Sequence, residues 1–375
     1  LMAPGGWVTR LDPETKKQEL ICIGFRNEYD VALNRFGDMF TFDADMEWDM
    51  GMPWYRPTRI CQVVSGGDYG WRSGSGKWRP YFEDSLPPVV DIGPGSPTGV
   101  ASGIGAAFPT KYKEALYALD WTFGTIYAIH ITPDGAGYTG ESEPFVYGTP
   151  LPVTDAVVGS DGHFYFTVGG RGAASAFFRV RYIGDQSTAA AVTKANDTNA
   201  KARQTRRMLE AFHGHVDAKA VETAWPYLAS EDRFIRNAAR VAIESQPVAQ
   251  WASRALSESD LQSRITSAVA LARLGESSHQ GPLLESLLAI EPAELSEMQL
   301  LGLLRAYELT FIRLGKPSES QRKQVIAELD GLLPHSSSDV NRELVTILVY
   351  LRSPTVISKA IKLITDGSEP VIPDW

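Results

Sequence analysis

Glycine is distributed unevenly along this chain, and this unevenness most limits how the chain can fold. Of the 33 glycines, 26 lie in residues 1–185, together with six of the nine tryptophans. Sequence rich in turns and aromatic residues is typical of short β-strands, whereas glycine-poor sequence with apolar residues at helical spacing is typical of α-helices. The chain is therefore predicted to join a β-rich part to an α-helical part.

The boundary between the two parts is predicted in a stretch of small and polar residues from Gly184 to Thr198. Such a stretch between periodic segments is typical of a linker. We expect a β domain over residues 1–183, a linker over 184–198 and a helical domain over 199–375.

A repeated pattern in the β-rich part indicates recurring sheet modules. An Asp, an apolar run, a turn ending in Gly and an aromatic strand occur in that order, so that Asp30 matches Asp155 and Gly37 matches Gly162. A third unit lies over residues 115–129. Modules of this kind indicate blades of a β-propeller. About three blades fit here and a closed ring has typically four to eight, so we expect an incomplete ring and further sequence before the first residue.

Cap and stop signals predict successive helices in the C-terminal part. The predicted helices cover 200–213, 230–244, 261–274, 295–314 and a segment that opens at Ser338 or Asp339 and ends before Pro354. Four arginines fall at similar places, 28, 41 and 37 residues apart: Arg236, Arg264, Arg305 and Arg342. This spacing predicts a solenoid of HEAT-like helical repeats, with an ordinary helical bundle as the alternative.

Net charge, the lengths of apolar runs and cysteine spacing argue against several classes of function. The net charge of -9 argues against a nucleic-acid surface, which needs concentrated Lys and Arg. The sequence contains no run of about 18 apolar residues, so no membrane-spanning helix is predicted. Cys22 and Cys61 form no C-x-x-C-H motif, so no covalent haem is expected. The two cysteines could form one disulfide or remain buried thiols.

A short acidic segment is a candidate metal site. Four carboxylates lie within seven residues: Asp43, Asp45, Glu47 and Asp49. This many oxygen ligands would suffice for a hard cation such as Ca²⁺. A solvated acidic turn is the alternative.

Arginine and tryptophan side chains are candidate carbohydrate ligands, because sugar rings stack on indoles and hydrogen-bond to guanidinium groups. The candidates for substrate binding are Trp54, Arg56, Arg59, Trp71 and Trp121. Packing between blades is the alternative. Arg171, in a Gly-Gly-Arg-Gly loop at the end of a predicted strand, could bind an anion or a sugar, or could serve the turn itself.

Motifs in the first 80 residues resemble those of soluble quinoprotein glucose/sorbosone dehydrogenases. The matching pieces are Gly24-x-Arg26-Asn27, the acidic segment 43–49 and Gly66-Gly67-Asp68-Tyr69-Gly70-Trp71. A longer string, including Pro53–Pro57 and Gly169–Gly172, is similar to planctomycete- and verrucomicrobia-type multidomain proteins called membrane-bound-dehydrogenase-like or haem-binding-domain proteins. The resemblance implies a six-bladed, extracytoplasmic propeller followed by HEAT-like repeats and then by a cytochrome-like domain outside this chain.

The same resemblance implies a cofactor site. Arg26 and Asn27 would face pyrroloquinoline quinone (PQQ), Arg171 is a further candidate for its anionic groups, and the acidic segment would place Ca²⁺. The chain departs from the pattern in two places. The turn at 120–124 has no Lys, and residues 151–154 carry no basic group. The catalytic histidine of the family would lie in an earlier blade.

Two functions therefore stay open. The first is a portion of a sugar or alcohol dehydrogenase that passes electrons to a cytochrome-like domain. The second is a non-catalytic propeller that binds a carbohydrate or a protein, with the helical repeats as a scaffold for a protein partner.

Overall fold

The protein is described by a computed structural model over residues 5–46, 55–72, 74, 76–189 and 199–367. The chain separates into two compact units. The first unit is formed by residues up to 80 and by 85–204. The second is formed by residues from 205 onward and by the short segment Tyr81–Asp84.

The first unit consists mainly of short β-strands. Their bounds are β1 Gly6–Leu11, β2 Gln18–Phe25, β3 Val31–Leu33, β4 Met39–Asp43, β5 Thr58–Val63, β6 Gly67–Asp68, β7 Trp71–Arg72, β8 Gly76–Lys77, β9 Val90–Gly93, β10 Pro97–Ser102, β11 Leu116–Asp120, β12 Thr125–Asp134, β13 Gly137–Tyr147, β14 Val153–Val158, β15 Phe164–Gly170 and β16 Ala173–Val180. A single helical turn, α1 Thr110–Lys113, precedes β11.

Strands that are close in sequence pair into antiparallel sheets. Among the described residues, β3-β4-β5-β9 and β10-β11-β12-β13 are four-stranded, and β14-β15-β16 is three-stranded. A further sheet, β1-β2-β6, contains a parallel pair between β2 and β6, and β7 pairs with β8. The prediction of a β-rich first part is confirmed, while the predicted number of propeller blades stays a prediction.

Apolar side chains on alternate positions pack these sheets against one another. Along β15, Phe164, Phe166 and Val168 are buried, as the two-residue period of a strand requires. They join a cluster in which the ring centroids of Phe164 and Tyr117 lie 4.6 Å apart. A second cluster, which includes Phe40, joins the sheet of β3 to that of β10.

The Asp and Gly positions of the repeated pattern have matching geometry. Asp30 and Asp155 each accept a hydrogen bond at 2.7 Å from the backbone N–H of the next residue. The Asp30 carboxylate also accepts from the backbone N–H of Val100, 3.0 Å away, which ties two sheets together. Gly37 and Gly162 both have positive φ, near +74° and +78°, which favours glycine at these turns.

Both cysteines are buried free thiols. The thiol alternative of the sequence analysis is therefore confirmed. Burial raises the pKa of Cys61 to about 12 and raises that of Cys22 as well, so neither thiol ionises appreciably near neutral pH.

The second unit is helical, as predicted. The helix bounds are α2 Ala200–Glu210, α3 Ala220–Ala224, α4 Arg233–Glu244, α5 Ala252–Leu256, α6 Leu261–Leu274, α7 Gln280–Leu288, α8 Glu297–Leu309, α9 Glu319–Leu329, α10 Ser338–Tyr350 and α11 Val356–Asp366, with α2 beginning in the last residues of the first unit. Short 3₁₀ helices lie between them at Trp225–Ala229, Val248–Gln250, Ser277–His279, Pro292–Glu294 and Asp330–Leu332. Within the described residues, every helix is too short or too polar to span a bilayer.

Helix α6 has the predicted bounds, whereas two other helices begin or continue differently. Asp232 rather than Ser230 caps α4, because its carboxylate accepts from two backbone N–H groups of the first turn. Helix α8 passes into a π-helical segment, Thr310–Leu314, before Gly315. The HEAT-like solenoid stays a prediction.

Three of the four repeated arginines bind the segment Tyr81–Asp84. Arg236 donates two hydrogen bonds to Glu83, at 2.5 and 3.2 Å, and Arg305 donates two to Asp84, at 2.8 and 3.1 Å. Arg342 donates to the hydroxyl of Tyr81 at 3.3 Å. These contacts give Arg236, Arg305 and Arg342 a common role within the second unit, whereas Arg264 donates to the hydroxyl of Ser286 at 3.0 Å.

Asp84 lies at the centre of these contacts, because it is fully buried and also pairs with Arg273 at 3.1 Å. Although burial alone would raise the pKa of the Asp84 carboxyl, the two guanidinium groups hold it well below its ordinary value.

We expect Asp84→Asn to destabilise the second unit by about 3–5 kcal/mol, because it takes this carboxylate away from the buried guanidinium group of Arg305 and the partly buried one of Arg273. Thermal unfolding followed by helical circular dichroism measures the effect. The matched control is Glu319→Gln, which removes an exposed pair with Arg322 and should cost less than about 1 kcal/mol. Equal shifts in the two variants would contradict this role of Asp84.

Candidate functional site

The predicted cofactor turn follows β2 and is held by a buried carboxylate. Asp43, the last residue of β4, accepts hydrogen bonds from the backbone N–H groups of Arg26 at 2.8 Å and Asn27 at 3.3 Å. Gly24 has φ near +91°, and a Cβ there would lie 2.4 Å from a carboxylate oxygen of Asp68. Only glycine fits this close approach.

The second oxygen of Asp43 pairs with two cations. It lies 3.0 Å from a terminal guanidinium nitrogen of Arg59 and 3.3 Å from Nζ of Lys77. All three side chains are buried, with Asp43 at 0% exposure. Burial would raise the pKa of Asp43, but Lys77 and Arg59 bring it below its ordinary value. Burial also lowers the pKa of Lys77 to about 8, although Asp43 opposes that shift.

These contacts place Arg59 differently from the prediction. Arg59 is buried, and besides pairing with Asp43 it donates to the backbone carbonyl of Tyr69 at 2.6 Å. In this position it stabilises the interior of the first unit. It is not exposed for contact with a sugar, although sequence reasoning made it a candidate ligand.

Asp45 is the second carboxylate of the acidic segment and lies beside the Arg26 side chain. It is 4% exposed, and its Oδ1 lies 4.0 Å from a guanidinium nitrogen of Arg26. Its Oδ2 accepts from the backbone N–H of Gly95 at 3.2 Å and from the Tyr55 hydroxyl at 3.4 Å. The Arg26 side chain is 30% exposed and Asn27 is exposed, so both can reach a ligand.

The described residues do not assemble the calcium site that the resemblance implies. Asp43 already pairs with two cations, and a metal ion would have to compete with both. Among the residues that the structure describes, no group of three or more His, Cys, Asp or Glu side chains could hold a metal ion. Glu47 and Asp49 lie outside the described residues, so the four-carboxylate site stays a prediction.

A neighbouring turn is organised by Asp120, which sequence reasoning did not single out. Asp120 is 1% exposed and accepts from the backbone N–H groups of Ser96 at 2.8 Å, Thr122 at 3.0 Å and Phe123 at 3.3 Å. Burial raises its pKa, and the charge of Asp45 adds to the effect. An aspartate at the end of a strand and before a turn is the signal that could have found it.

The structure brings together Trp121 and Arg171, which the sequence suggested as two separate binding residues. The Trp121 indole N–H donates to the backbone carbonyl of Gly169 at 2.7 Å, and the Arg171 guanidinium lies 5.2 Å from the Trp121 ring centroid. Arg171 is exposed and has φ near +49°. The backbone N–H of Trp121 also donates to the carbonyl of Ser96 at 3.0 Å, next to the turn that contacts Asp45.

The remaining candidates for sugar binding lie around Met46. Arg56 pairs through its backbone with Met46, and the Trp71 indole N–H lies 3.4 Å from the Met46 sulfur. Both side chains are partly buried. Trp54 lies outside the described residues. A separate guanidinium–indole contact joins Arg72 to Trp78, 4.3 Å from the ring centroid.

Comparison with known proteins gives matches among solved structures. No protein-family model and no curated protein sequence matches the chain. A putative glucose dehydrogenase from Thermus thermophilus aligns at 18% identity over 43% of this chain and 47% of that chain, with a TM-score of 0.35. A second glucose dehydrogenase aligns at 17% over 46% and 48%, with a TM-score of 0.36. The PQQ-bound aldose sugar dehydrogenase of Streptomyces coelicolor aligns at 14% over 47% and 51%, with a TM-score of 0.34.

This chain spans about half the length of these structures. The structural neighbours are thus glucose and aldose sugar dehydrogenases. Because the TM-scores lie below 0.5, the likeness carries no further conclusion about this chain.

We expect Asp43→Asn to destabilise the first unit by about 3–5 kcal/mol, because Arg59 and Lys77 would stay buried with one carboxylate fewer. Urea unfolding followed by tryptophan fluorescence measures the change. Glu19→Gln is the control in the same unit, since it breaks an exposed pair with Arg10 and should cost less than about 1 kcal/mol. A loss no larger than that of the control would show that the buried network is not needed.

Proposed function

We propose that the first unit is the ligand-binding portion of a protein that oxidises a carbohydrate or an alcohol. The observation that carries this proposal is the rigid turn at Arg26 and Asn27. Asp43 fixes its backbone, while the partly exposed Arg26 guanidinium lies beside Asp45. A guanidinium group fixed in this way suits carboxylate and hydroxyl oxygens.

The pair of Trp121 and Arg171 adds a surface suited to the same ligand class. An indole face and a guanidinium group together stack on and hydrogen-bond to a sugar ring or a planar quinone. Arg171 is exposed and lies over the Trp121 ring, so it can turn toward a ligand without unfolding a strand.

The described residues fit the anionic and planar parts of a quinone better than they fit its calcium ion. Arg26, Asn27 and Arg171 would hold PQQ, which when bound accepts the electrons of the substrate. Asp43 is engaged with Arg59 and Lys77, so we assign it to the protein interior.

Oxidation also needs a general base within hydrogen-bond reach of the substrate hydroxyl, and we assign none of the described residues to that role. Electron transfer to a cytochrome-like domain and an extracytoplasmic location belong to the same proposal.

A second candidate function is non-catalytic binding of a carbohydrate or a protein. The position of Asp43 favours it, because a carboxylate with two buried cationic partners is poorly suited to hold a catalytic metal.

Titration of the chain with PQQ, with and without Ca²⁺, tests the first proposal. We expect PQQ to quench the tryptophan fluorescence of the unmodified chain. In Arg26→Ala the affinity for PQQ should fall about tenfold or more, which corresponds to a loss of about 1.4 kcal/mol or more of binding free energy. Arg10→Ala is the control. The Arg10 side chain is exposed, and among the described contacts it pairs with Glu19 on the neighbouring strand.

The outcomes separate the two candidates. Quinone binding that depends on Arg26 supports the dehydrogenase portion. Binding of an oligosaccharide, with no quinone binding, supports the second candidate. Quinone binding that is equally strong in Arg26→Ala would contradict the assigned turn.

A further inference from the structure

Two pockets on the second unit share the side chain of Tyr350. The first, the apolar pocket, has a volume of about 260 Å³ and walls formed mainly by Phe82, Phe311, Ile312, Ile347 and Tyr350. The second, the basic pocket, has a volume of about 490 Å³ and is lined by charged side chains together with Pro317, Tyr350 and Leu351. Because one residue lines both, the two pockets are neighbours, and one ligand could occupy both.

The apolar pocket is open to solvent. Ile312 and Tyr350 in its wall are 73% and 46% exposed, and the rings of Phe311 and Tyr350 stack with centroids 5.7 Å apart. Two carboxyl groups, those of Glu308 and Glu343, also line this pocket. Whether they oppose an apolar ligand depends on their own partners.

Both carboxyl groups are engaged within the second unit. Glu308 is hydrogen-bonded to Glu343 and lies 3.1 Å from Arg305. Glu343 also accepts a hydrogen bond from the hydroxyl of Tyr81. Burial raises the pKa of Glu308 to about 8, and Glu343 adds to the rise while Arg305 opposes it, so Glu308 is uncharged near neutral pH. The apolar pocket therefore suits an uncharged, apolar group.

The basic pocket contains more positive than negative charge. It is lined by three cations and one carboxylate: Lys316, Arg322, Arg352 and Glu319. Lys316 and Arg352 are exposed, and neither side chain has an ion-pair partner in the part of the chain that the structure describes. Glu319 is already paired, because Arg322 donates two hydrogen bonds to it, at 2.9 and 2.6 Å. This local surplus of positive charge occurs in a chain whose net charge is -9.

Arg352 has a backbone conformation that is unusual for arginine. Its φ is near +57°, directly after the end of α10. Its backbone N–H donates to the carbonyl of Val349 at 3.0 Å, and that of Ser353 donates to the carbonyl of Leu348 at 2.9 Å. These two hydrogen bonds form a helix end whose left-handed position is most often filled by glycine. Costly backbone conformations of this kind occur often at ligand sites.

Two segments of the chain lead from the apolar pocket to the basic pocket. Along α10, Ile347 lines the apolar pocket, Tyr350 lines both and Arg352 lines the basic pocket. Along the other segment, Ile312 lines the apolar pocket and Lys316, four residues later, lines the basic pocket. The helical rise from Ile347 to Arg352 is about 7 Å, a distance that one small organic molecule can span.

We propose that the two pockets together bind a small organic anion with an apolar, aromatic or aliphatic body. The body lies against Ile312 and Tyr350, and the anionic head, a carboxylate, sulfonate or phosphate group, lies between Lys316 and Arg352. Charge-assisted hydrogen bonds select the head, and burial of apolar surface selects the body. An organic cation of the same shape is repelled by the basic pocket. The site is independent of the quinone or sugar proposed for the first unit.

The test uses two fluorescent probes that share one aromatic body, with the whole chain as the binding partner. The probes are 8-anilinonaphthalene-1-sulfonate, which is an anion, and N-phenyl-1-naphthylamine, which lacks the sulfonate. Titration followed by probe fluorescence gives both affinities. We expect Arg352→Gly to weaken sulfonate binding about fivefold or more and binding of the neutral probe less than about twofold, because it removes a cation and leaves the apolar pocket intact.

Two measurements separate this effect from a loss of fold or of general charge. Glycine favours the left-handed conformation at position 352, so the melting temperature of Arg352→Gly should stay the same or rise. The matched control is Lys362→Gln, which removes an exposed cation on α11 and should change either affinity by less than about twofold.

A second variant tests whether the two pockets act together. Ile312→Ala should weaken both probes about threefold or more, because it removes apolar contact area. Unchanged binding of both probes in Ile312→Ala would contradict the joint site, even if Arg352→Gly loses the sulfonate. Equal effects of Arg352→Gly on the two probes, or no sulfonate binding by the unmodified chain, would overturn the proposal.

Discussion

The ion pairs of Asp43 with Arg59 and Lys77 are the interaction on which the first unit most depends. One buried carboxylate joins the end of β4 to β5 through Arg59 and to β8 through Lys77. The same carboxylate holds the backbone of the Arg26–Asn27 turn after β2. Burying three ionised groups costs free energy, and the cost is offset only when every charge has a partner.

Lys77 shows how completely that condition is met. Besides Asp43, its ammonium group donates to the backbone carbonyl of Pro57 at 3.0 Å and to that of Ala44. Its three donors are thus used inside the protein. The network leaves the Arg26 side chain at the surface while its backbone is fixed, which is the arrangement that a binding residue requires.

The second unit contains a similar device built from different elements. Asp84 is as buried as Asp43, and it too pairs with two cations, Arg273 and Arg305. In each unit a fully buried aspartate holds a short irregular segment in place. In the second unit Arg305 also pairs with Glu308, at 3.1 Å, so one guanidinium group serves two carboxyl groups.

The parts of the structure that depend on local signals could be predicted from the sequence. The glycine distribution indicated where strands give way to helices, and the Gly275 stop and the apolar period defined α6. Local signals failed where two candidates competed, as when Asp232 rather than Ser230 capped α4. Four carboxylates within seven residues suggested a metal site, and nothing near Asp43 in the sequence reveals that Lys77, 34 residues later, pairs with it. The same holds for Tyr81–Asp84, whose composition resembles the first part of the chain although it belongs to the second unit.

A double-mutant cycle on Asp43 and Lys77 tests the central claim most directly. Unfolding free energies of Asp43→Asn, Lys77→Met and the double variant give the coupling energy between the two side chains. A buried, mutually dependent pair predicts a coupling of about 1 kcal/mol or more, with the double variant more stable than the sum of the single losses implies. Losses that add to within about 0.5 kcal/mol would contradict the claim that this ion pair organises the first unit.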